Sequence, residues 1–367
     1  MKQRWRELLR KLGPALGLIA AWVLFALLAG RPFTSWPNHQ LMALQTAVIG
    51  TAAVGATWII VAGGIDLSVG STIALGTVVT ALLLNAGWSA GAAALGGVAS
   101  AVIVGWTIGA LVVGQLGRVL ALGSGVALGV HLGRAHGPAI GVVSGASLAA
   151  VLRWLFERVI GSLPLSPFIV TLGLWGALRG LAKGLGDNQP VYPSDTGWLR
   201  RVMVLAPDGL FSVAPPGVLV FAAVALVAGF ALKHTVLGRH ALAVGSNEQT
   251  ARLCGVRVER VKLWVYALGL CCAGVASVLQ FAYLSMGDPT TAQGYELKVI
   301  AAVVIGGASL SGGQGSVGGA LIGALIMTVV DNGCTKLGLD NWVQELITGA
   351  IIVAAVALDR TRARSRA

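Results

Sequence analysis

Apolar residues run through the chain in long blocks that short polar or glycine-rich segments separate. Blocks of about 18 residues or more are typical of helices that cross a membrane. A transmembrane barrel needs short alternating strands, and residues 218–233 are apolar without alternation. The pattern predicts an all-α, polytopic membrane bundle of 10–12 transmembrane helices, a single domain over residues 1–367. The predicted spans are 14–30, 41–62, 67–85, 90–114, 119–133, 138–156, 166–185, 216–233, 263–284, 296–309, 316–334 and 342–358.

The span at residues 119–133 is the weakest of these, because it is short for a hydrocarbon layer of about 30 Å. It is either a tilted short helix or a re-entrant piece. If it does not cross the membrane, the count for the neighbouring block at 90–114 also has to change, and ten spans remain. Basic residues at both termini predict that both face the cytoplasm, so the number of crossings has to be even.

Composition supports a membrane protein and narrows its partners. Hydrophobic residues make up 56% of the chain and charged residues 11%, against about 25% charged residues in soluble domains. The net charge of +12 lies in clusters that flank spans, where it marks the cytoplasmic side and contacts anionic lipid. Apart from Trp5 between Arg4 and Arg6, these clusters do not alternate basic with aromatic residues, which argues against nucleic-acid binding. Four cysteines lack the spacing of metal ligands, so we expect free thiols and no metal site: Cys254, Cys271, Cys272 and Cys334.

Two longer polar segments interrupt the spans. Residues 186–215 are rich in Pro, Asp and Gly and are predicted to form a periplasmic loop. Residues 234–262 are predicted to form an internal loop, with a short helix that Ser246 or Asn247 caps and Gly255 stops. Such a helix is either a docking site for a soluble partner or part of an ordinary solvated loop, and composition leaves both interpretations open.

The segment GGIDLSVG, residues 63–70, places one acid between two apolar blocks. Gly63 and Gly64 are predicted to end one helix, and Asp66 to cap the next by accepting backbone N–H bonds. Ser68 and the small residues after it permit close packing. We expect a structural hinge at Asp66; a direct contact with the gate or the transported solute is the alternative.

A second glycine-rich segment, GGASLSGGQGSVGG at residues 306–319, resembles a phosphate-binding loop only superficially. It lacks the Lys-Ser/Thr pair of the P-loop, and no strand precedes it. We therefore predict a sharp turn or broken helix here, which membranes tolerate where it is buried or lines a cavity.

Three further groups are candidates for contact with a solute or with the membrane boundary. In SPFIVTLG, Pro167 is predicted to start a helix, and Phe168 and Thr171 either line the pathway or pack. Glu296 and Lys298 are predicted to be interfacial, and the pair at residues 331–332 to bound the next span.

Four blocks in this order resemble ribose-type ABC importer permeases, of the branched-chain amino acid and sugar permease superfamily. They are residues 63–71, 166–182, 237–277 and 288–327. The resemblance implies the permease subunit of an importer in the bacterial inner membrane, with a monosaccharide as its cargo. It also implies a separate ATPase that uses ATP and Mg²⁺, a substrate-binding protein and a second permease copy or homologue. No cofactor is expected on this chain.

The resemblance also implies two groups of site residues. The ATPase-docking group is Gly245, Ser246, Asn247, Glu248, Ala251, Arg252, Gly255 and Val256. The pathway and hinge group is Gly64, Asp66, Ser68, Phe168, Thr171, Gly306, Gly307 and Ser309. Two departures from the family pattern stand out. About thirty extra residues precede Pro167, so an added helical hairpin is expected within 86–150, and Ser246 replaces a common glycine.

Other functions remain as alternatives. A related permease could carry a nucleoside or another small solute. An ion-coupled secondary transporter usually holds ionisable residues at mid-membrane, whereas the acids here lie mostly at the ends of predicted spans. An intramembrane enzyme finds no support, because no Ser/His pair, aspartate pair or HExxH motif is present.

Overall fold

The computed structural model describes residues 2–159, 162–205 and 215–364. Within these ranges the chain forms sixteen helices and no sheet, apart from one isolated bridge between Val191 and Gly287. The predicted all-helical class is confirmed. The helices are α1 (Lys2–Ala29), α2 (Arg31–Thr34), α3 (Trp36–Val61), α4 (Val69–Asn85), α5 (Ala90–Val112), α6 (Leu116–His136), α7 (Pro138–Val159), α8 (Pro167–Leu185), α9 (Leu199–Val202), α10 (Pro216–His234), α11 (Val236–Ser246), α12 (Glu248–Leu253), α13 (Val258–Leu284), α14 (Tyr295–Ile305), α15 (Val317–Lys336) and α16 (Asn341–Arg364).

Three long helices form the centre of the bundle. The most apolar 18-residue stretch is 94% buried in α3, 72% in α13 and 67% in α15, against 11–17% in α6, α7 and α10. Helices α4 and α14 pack against this centre. Because the peripheral helices expose apolar side chains such as Leu226 and Val227, their outer faces suit a lipid environment.

Eight helices of the described chain are long and apolar enough to cross a membrane, and three shorter apolar stretches lie in α1, α4 and α16. Helix α6 has 21 residues, about 31 Å at 1.5 Å per residue, so it is longer than the predicted 119–133 segment. Helix α14 has only 11 residues, about 16 Å. This is about half the thickness of a hydrocarbon layer of about 30 Å, so the predicted span at 296–309 is wrong.

Helices α6 and α7 form a hairpin at the edge of the bundle. They pack on each other along a row of glycines, where Gly129 faces Gly141 and Gly125 faces Gly145, the close backbone approach that small residues allow in membranes. Glu157 accepts hydrogen bonds from Arg118 at 2.9 Å and Arg153 at 3.2 Å. The hairpin occupies residues 116–159, so it overlaps the segment expected to hold an insertion, and that expectation stays a prediction.

The loop at residues 186–215 is described as far as residue 205. It contains α9, whose Leu199 is fully buried while the preceding Trp198 is 54% exposed. The sequence of this loop also favours a short interfacial helix with Trp198 and Phe211, and Phe211 lies outside the described residues. We call the end of the bundle that carries α11 and α12 the loop end, and the opposite end the far end.

Candidate functional site

The polar segment at residues 234–262 folds into two short helices. Thr235 caps α11 by accepting the N–H of Gly238 at 3.2 Å, and Asn247 caps α12 by accepting the N–H of Thr250 at 2.9 Å. Gly255, with a φ of +83°, follows the end of α12. The predicted helix and stop are confirmed, and Asn247 is the cap. Helix α11 was not predicted.

Two ion pairs join α12 to the start of α13, and a third lies within α12. Glu248 contacts Lys262 at 2.7 Å and Arg252 at 3.4 Å, and Arg252 contacts Glu259 at 2.6 Å. The hydrogen bond from Lys262 is the main cause that lowers the pKa of Glu248. Because these side chains are partly exposed to solvent, each pair contributes little to stability. Together they hold α12 in one orientation.

The surface of α12 differs from the predicted docking group. Ser246, Asn247, Glu248, Arg252 and Gly255 are exposed, and Val256 is half-buried. Ala251, however, is 4% exposed and faces the protein, so it supports the helix. Leu253, which was not in the predicted group, is 89% exposed. The sequence signal for Leu253 was a large apolar side chain in a mostly polar helix.

Gly245 belongs to a contact among three backbone segments, which we call the glycine junction: residues 61–64, 245–246 and 312–313. The N–H of Gly313 donates to the carbonyl of Val61 at 2.8 Å. A methyl group on Gly245 would collide with that same carbonyl oxygen, and one on Gly312 would lie 2.7 Å from the carbonyl of Gly245. The polar loop therefore touches the end of α3 and the 306–316 turn directly, backbone against backbone. A cavity of about 250 Å³ lies beside this contact.

Gly63 and Gly64 end α3 as predicted. Gly63 has a φ of +79°, and the N–H of Gly64 donates to the carbonyl of Ile59 at 2.9 Å, which is the pattern of a Schellman motif. The prediction for Asp66 needs correction. Its Oδ1 accepts from the N–H of Ser68 at 2.8 Å and from the hydroxyl of Ser68 at 2.6 Å, so it closes a turn before α4, and Ser68 is the N-cap residue. Asp66 fixes the turn between α3 and α4 without capping α4, and a hinge at this turn stays a prediction.

Helix α8 carries the two residues predicted to line a pathway, and the structure separates them. Thr171 is fully buried and donates to the carbonyl of Pro167 at 3.0 Å and that of Ile65 at 3.4 Å. Phe168 is 49% exposed on the outer surface of this chain. Thr171 thus packs α8 against the hinge, and the two side chains do not form one site.

Helix α8 also holds α14 in place through residues that were not predicted. The indole N–H of Trp175 donates to Oε1 of Glu296 at 3.1 Å. Arg179 donates to the carbonyls of Pro289 and Thr291 at 3.0 and 2.6 Å. Glu296 is 8% exposed and so lies buried within the protein, while its place at the membrane interface stays a prediction. It is buried because the half-length α14 begins inside the bundle.

The turn predicted at residues 306–319 is present. Helix α14 ends at Ile305, and Gly307 has a φ of +95°. The N–H of Ser309 donates to the carbonyl of Gln314 at 3.1 Å, and Gly306 lies directly against the backbone of Gly319. The segment is a tight backbone turn between α14 and α15, and it brings residues 312–313 to the glycine junction.

At the far end, polar groups join the central helices. Asn38 and Asn332 exchange hydrogen bonds of 2.8 and 3.0 Å between α3 and α15. Lys298 contacts Asp331 at 2.6 Å. These residues were predicted to be boundary or interfacial groups; the structure instead buries Asn332 and pairs Asp331 within the protein. No group of three or more potential metal ligands occurs in the part of the chain that the structure describes.

The arrangement is a helical membrane bundle with a broken-helix turn, a hinge and an outlying polar loop that meet at one backbone contact. Residues 40–356 match the family described as the branched-chain amino acid transport system permease component. The chain belongs to this permease family. The resemblance of the four sequence blocks to this family is confirmed. The permease is a transport subunit, and its fold is that of a multi-pass membrane protein.

Curated relatives cover nearly the whole permease. The ribose import permease protein RbsC of Escherichia coli strain K12 is 34% identical, over 94% of this chain and 93% of its own. The L-arabinose ABC transporter permease protein AraH of Azospirillum brasilense is 32% identical, over 90% and 81%. The xylose transport system permease protein XylH of Escherichia coli strain K12 is 31% identical, over 95% and 91%. No solved structure matches the chain.

Proposed function

We propose that this permease is the membrane subunit of an ATP-binding cassette importer in a bacterial cytoplasmic membrane and that it carries a monosaccharide. Relatives named for ribose, L-arabinose and xylose transport support a pentose-sized sugar. In this proposal the polar loop and both termini face the cytoplasm, as the clusters of basic residues predict.

The glycine junction is the observation that carries the proposal. Helix α12 is held to α13 by ion pairs, and Gly245 at the end of α11 lies against the end of α3 and the 312–313 turn. A force on α12 therefore reaches the hinge and the broken helix without passing through flexible side chains. Because packed backbones cannot deform continuously, the movement would displace both segments together.

The partners follow from this mechanism. A separate ATPase would bind α12 and supply ATP and Mg²⁺ chemistry, a substrate-binding protein would deliver the sugar at the far end, and a second permease or homologue would complete the pathway. Leu253 is the strongest candidate anchor for the ATPase, since exposed apolar side chains with a charged rim are typical of protein contacts. Nucleosides and other small neutral solutes are the alternative cargo.

The docking step can be tested with Leu253→Asp in the affinity-tagged permease, produced in its native cells. We expect the variant to lose the ATP hydrolase that co-purifies with the wild type, and to lose pentose uptake. Gln249→Asp is the matched control, because it adds the same charge at another exposed position of α12. Both variants should keep the wild-type unfolding temperature, because neither side chain is buried.

Equal hydrolase recovery with Leu253→Asp would contradict docking at α12. Uptake that continues without any hydrolase and stops with a protonophore would identify an ion-coupled transporter instead. The loop's orientation has its own test, because Cys254 is exposed on it while Cys334 is buried. A membrane-impermeant maleimide should label Cys254 only in inverted vesicles, and labelling from outside intact cells would overturn the topology.

A further inference from the structure

A second cavity lies at the far end, away from the glycine junction. It occupies about 280 Å³ between the beginning of α3, the end of α13, the beginning of α14 and the end of α15. The polar loop adjoins the opposite ends of α3 and α13, so the two cavities are separated along the length of the bundle. Nothing in the predicted pathway group lines the far-end cavity.

The lining of this cavity is mostly polar, in contrast to the apolar faces around it. Amide side chains come from α3, α13 and α16, and two tyrosines stand at the ends of α13 and α14. A paired ammonium and carboxylate completes the wall. The side chains that the argument uses are Gln45, Gln280, Tyr283, Lys298, Thr328 and Asp331.

Two buried polar atoms on this wall have no partner in the described protein. Thr328 is 2% exposed, and its hydroxyl makes no hydrogen bond. Asp331 accepts from Lys298 through Oδ2 at 2.6 Å, while its buried Oδ1 has none. An unsatisfied buried polar group costs about 1–3 kcal/mol, so we expect these two atoms to form hydrogen bonds with a solute that enters the cavity.

The wall is arranged for a small neutral solute with many hydroxyl groups. Lys298 and Asp331 neutralise each other inside the wall, and Lys336 adds an ammonium group only at the exposed rim. Amides and a hydroxyl offer both donors and acceptors, and the tyrosine rings offer flat apolar faces. A volume of about 280 Å³ suits a small solute more than a large one. It lies just below the usual range of ligand pockets, about 300–1,000 Å³.

We infer that the far-end cavity is a binding site within this single chain for a neutral polyhydroxy solute of monosaccharide size, in which Thr328, Gln280 and the Lys298–Asp331 pair contact the solute. The inference rests on the proposed function, because the solute assigned to this cavity is the proposed cargo. Gln280 also donates to Thr291 at 2.9 Å, so the site adjoins the 288–294 segment that Arg179 holds against α8.

Protection of a reporter cysteine tests the site directly. In a full-length permease whose four cysteines are replaced by alanine, Thr335→Cys places a thiol at the exposed edge of the cavity. We expect D-ribose, D-xylose or L-arabinose to slow its reaction with a methanethiosulfonate reagent in proteoliposomes, and leucine to leave the rate unchanged. Thr34→Cys is the control reporter, because it is exposed at the same end outside the cavity, and no sugar should slow its reaction.

Thr328→Val separates a ligand contact from a structural role. Valine keeps the shape and removes an unsatisfied hydroxyl, so the variant should unfold at the same or a higher temperature. Half-protection by the pentose should need about threefold to tenfold more sugar, since one hydrogen bond is lost. Thr46→Val is the matched control: Thr46 is equally buried on α3 with an unpartnered hydroxyl but does not line the cavity, so protection should be unchanged.

The inference is overturned if no sugar or nucleoside slows labelling of Thr335→Cys, or if Thr46→Val weakens protection as much as Thr328→Val does. Both results are independent of the ATPase. If Leu253→Asp abolishes uptake while Thr328→Val changes neither protection nor the uptake KM, the importer assignment stands and the far-end cavity is not its sugar site.

Discussion

Two regions of this permease use glycine for close approach, and they use it differently. In the α6–α7 hairpin, Gly141 faces Gly129 along two regular helices at the edge of the bundle. In the glycine junction, Gly245 faces the end of α3 and Gly312 lies in a turn with a φ of +85°. The first contact joins two neighbours in the chain, whereas the second joins three segments that are far apart in sequence.

The difference shows what a glycine contact does in each place. Hairpin glycines let two helices approach, and a larger residue would only move one peripheral helix outward. At the junction a larger residue would push the polar loop away from the hinge and the broken helix together. Glycine density alone therefore does not identify the functional contact; the segments that meet there do.

Gly245→Ala should give the largest effect, because it alters the glycine junction directly. The position is helical, so backbone strain does not confuse the result, and the added methyl collides with the carbonyl of Val61. We expect uptake in membrane vesicles to fall to background, with a stability loss of about 1–3 kcal/mol. Gly318→Ala is the control: it is also helical, has open space around it and should be neutral or slightly stabilising.

Wild-type uptake by Gly245→Ala would show that the junction can open without cost to transport. Loss of uptake by Gly318→Ala as well would show that any added methyl group harms the bundle. Either result would remove the distinction between the junction and the hairpin.

Gly141→Ala in the hairpin should have an intermediate effect. The methyl meets the backbone of Gly129 and Gly133, so the unfolding temperature should fall by an amount equivalent to about 1–3 kcal/mol, measured on the purified permease. Uptake per folded molecule should stay close to wild type, because the hairpin does not touch the junction. Gly123→Ala, which has open space on α6, should leave both quantities unchanged, and an uptake loss as large as that of Gly245→Ala would contradict the contrast.

The sequence predicted the helical class and the short helix α12 because both depend on local patterns. Apolar blocks identify spans, and Asn247 with Gly255 brackets α12 by ordinary capping chemistry. It also located the end of α3 at Gly63–Gly64 and the turn at 306–319. These are the positions where glycine interrupts an apolar block.

What could not be predicted depends on contacts between distant segments. The shortness of α14 is hidden because residues 296–309 are apolar enough to cross, and only the buried bond from Trp175 to Glu296 shows that the helix starts inside the bundle. Asp66 looked like a helix cap because sequence gives its position but not its turn geometry. The separation of Phe168 from Thr171 follows from how α8 packs, which no local pattern records.

Glu248→Gln should have the smallest effect and tests whether charge or backbone contact holds the polar loop. Because the pKa of Glu248 is lowered from its ordinary 4.5, its ion pair with Lys262 stabilises the folded chain above that pH. The stabilisation is lost as pH falls through the lower folded value. At pH 7 the variant should lose no more than about 1 kcal/mol, since the carboxylate is 44% exposed, and uptake should persist. Thermal unfolding from pH 7 into the acid range measures this, and the two proteins should converge once the pH lies below the folded pKa of Glu248. A variant as inactive at pH 7 as Gly245→Ala would mean that ion pairs, more than the glycine junction, couple the loop to the bundle.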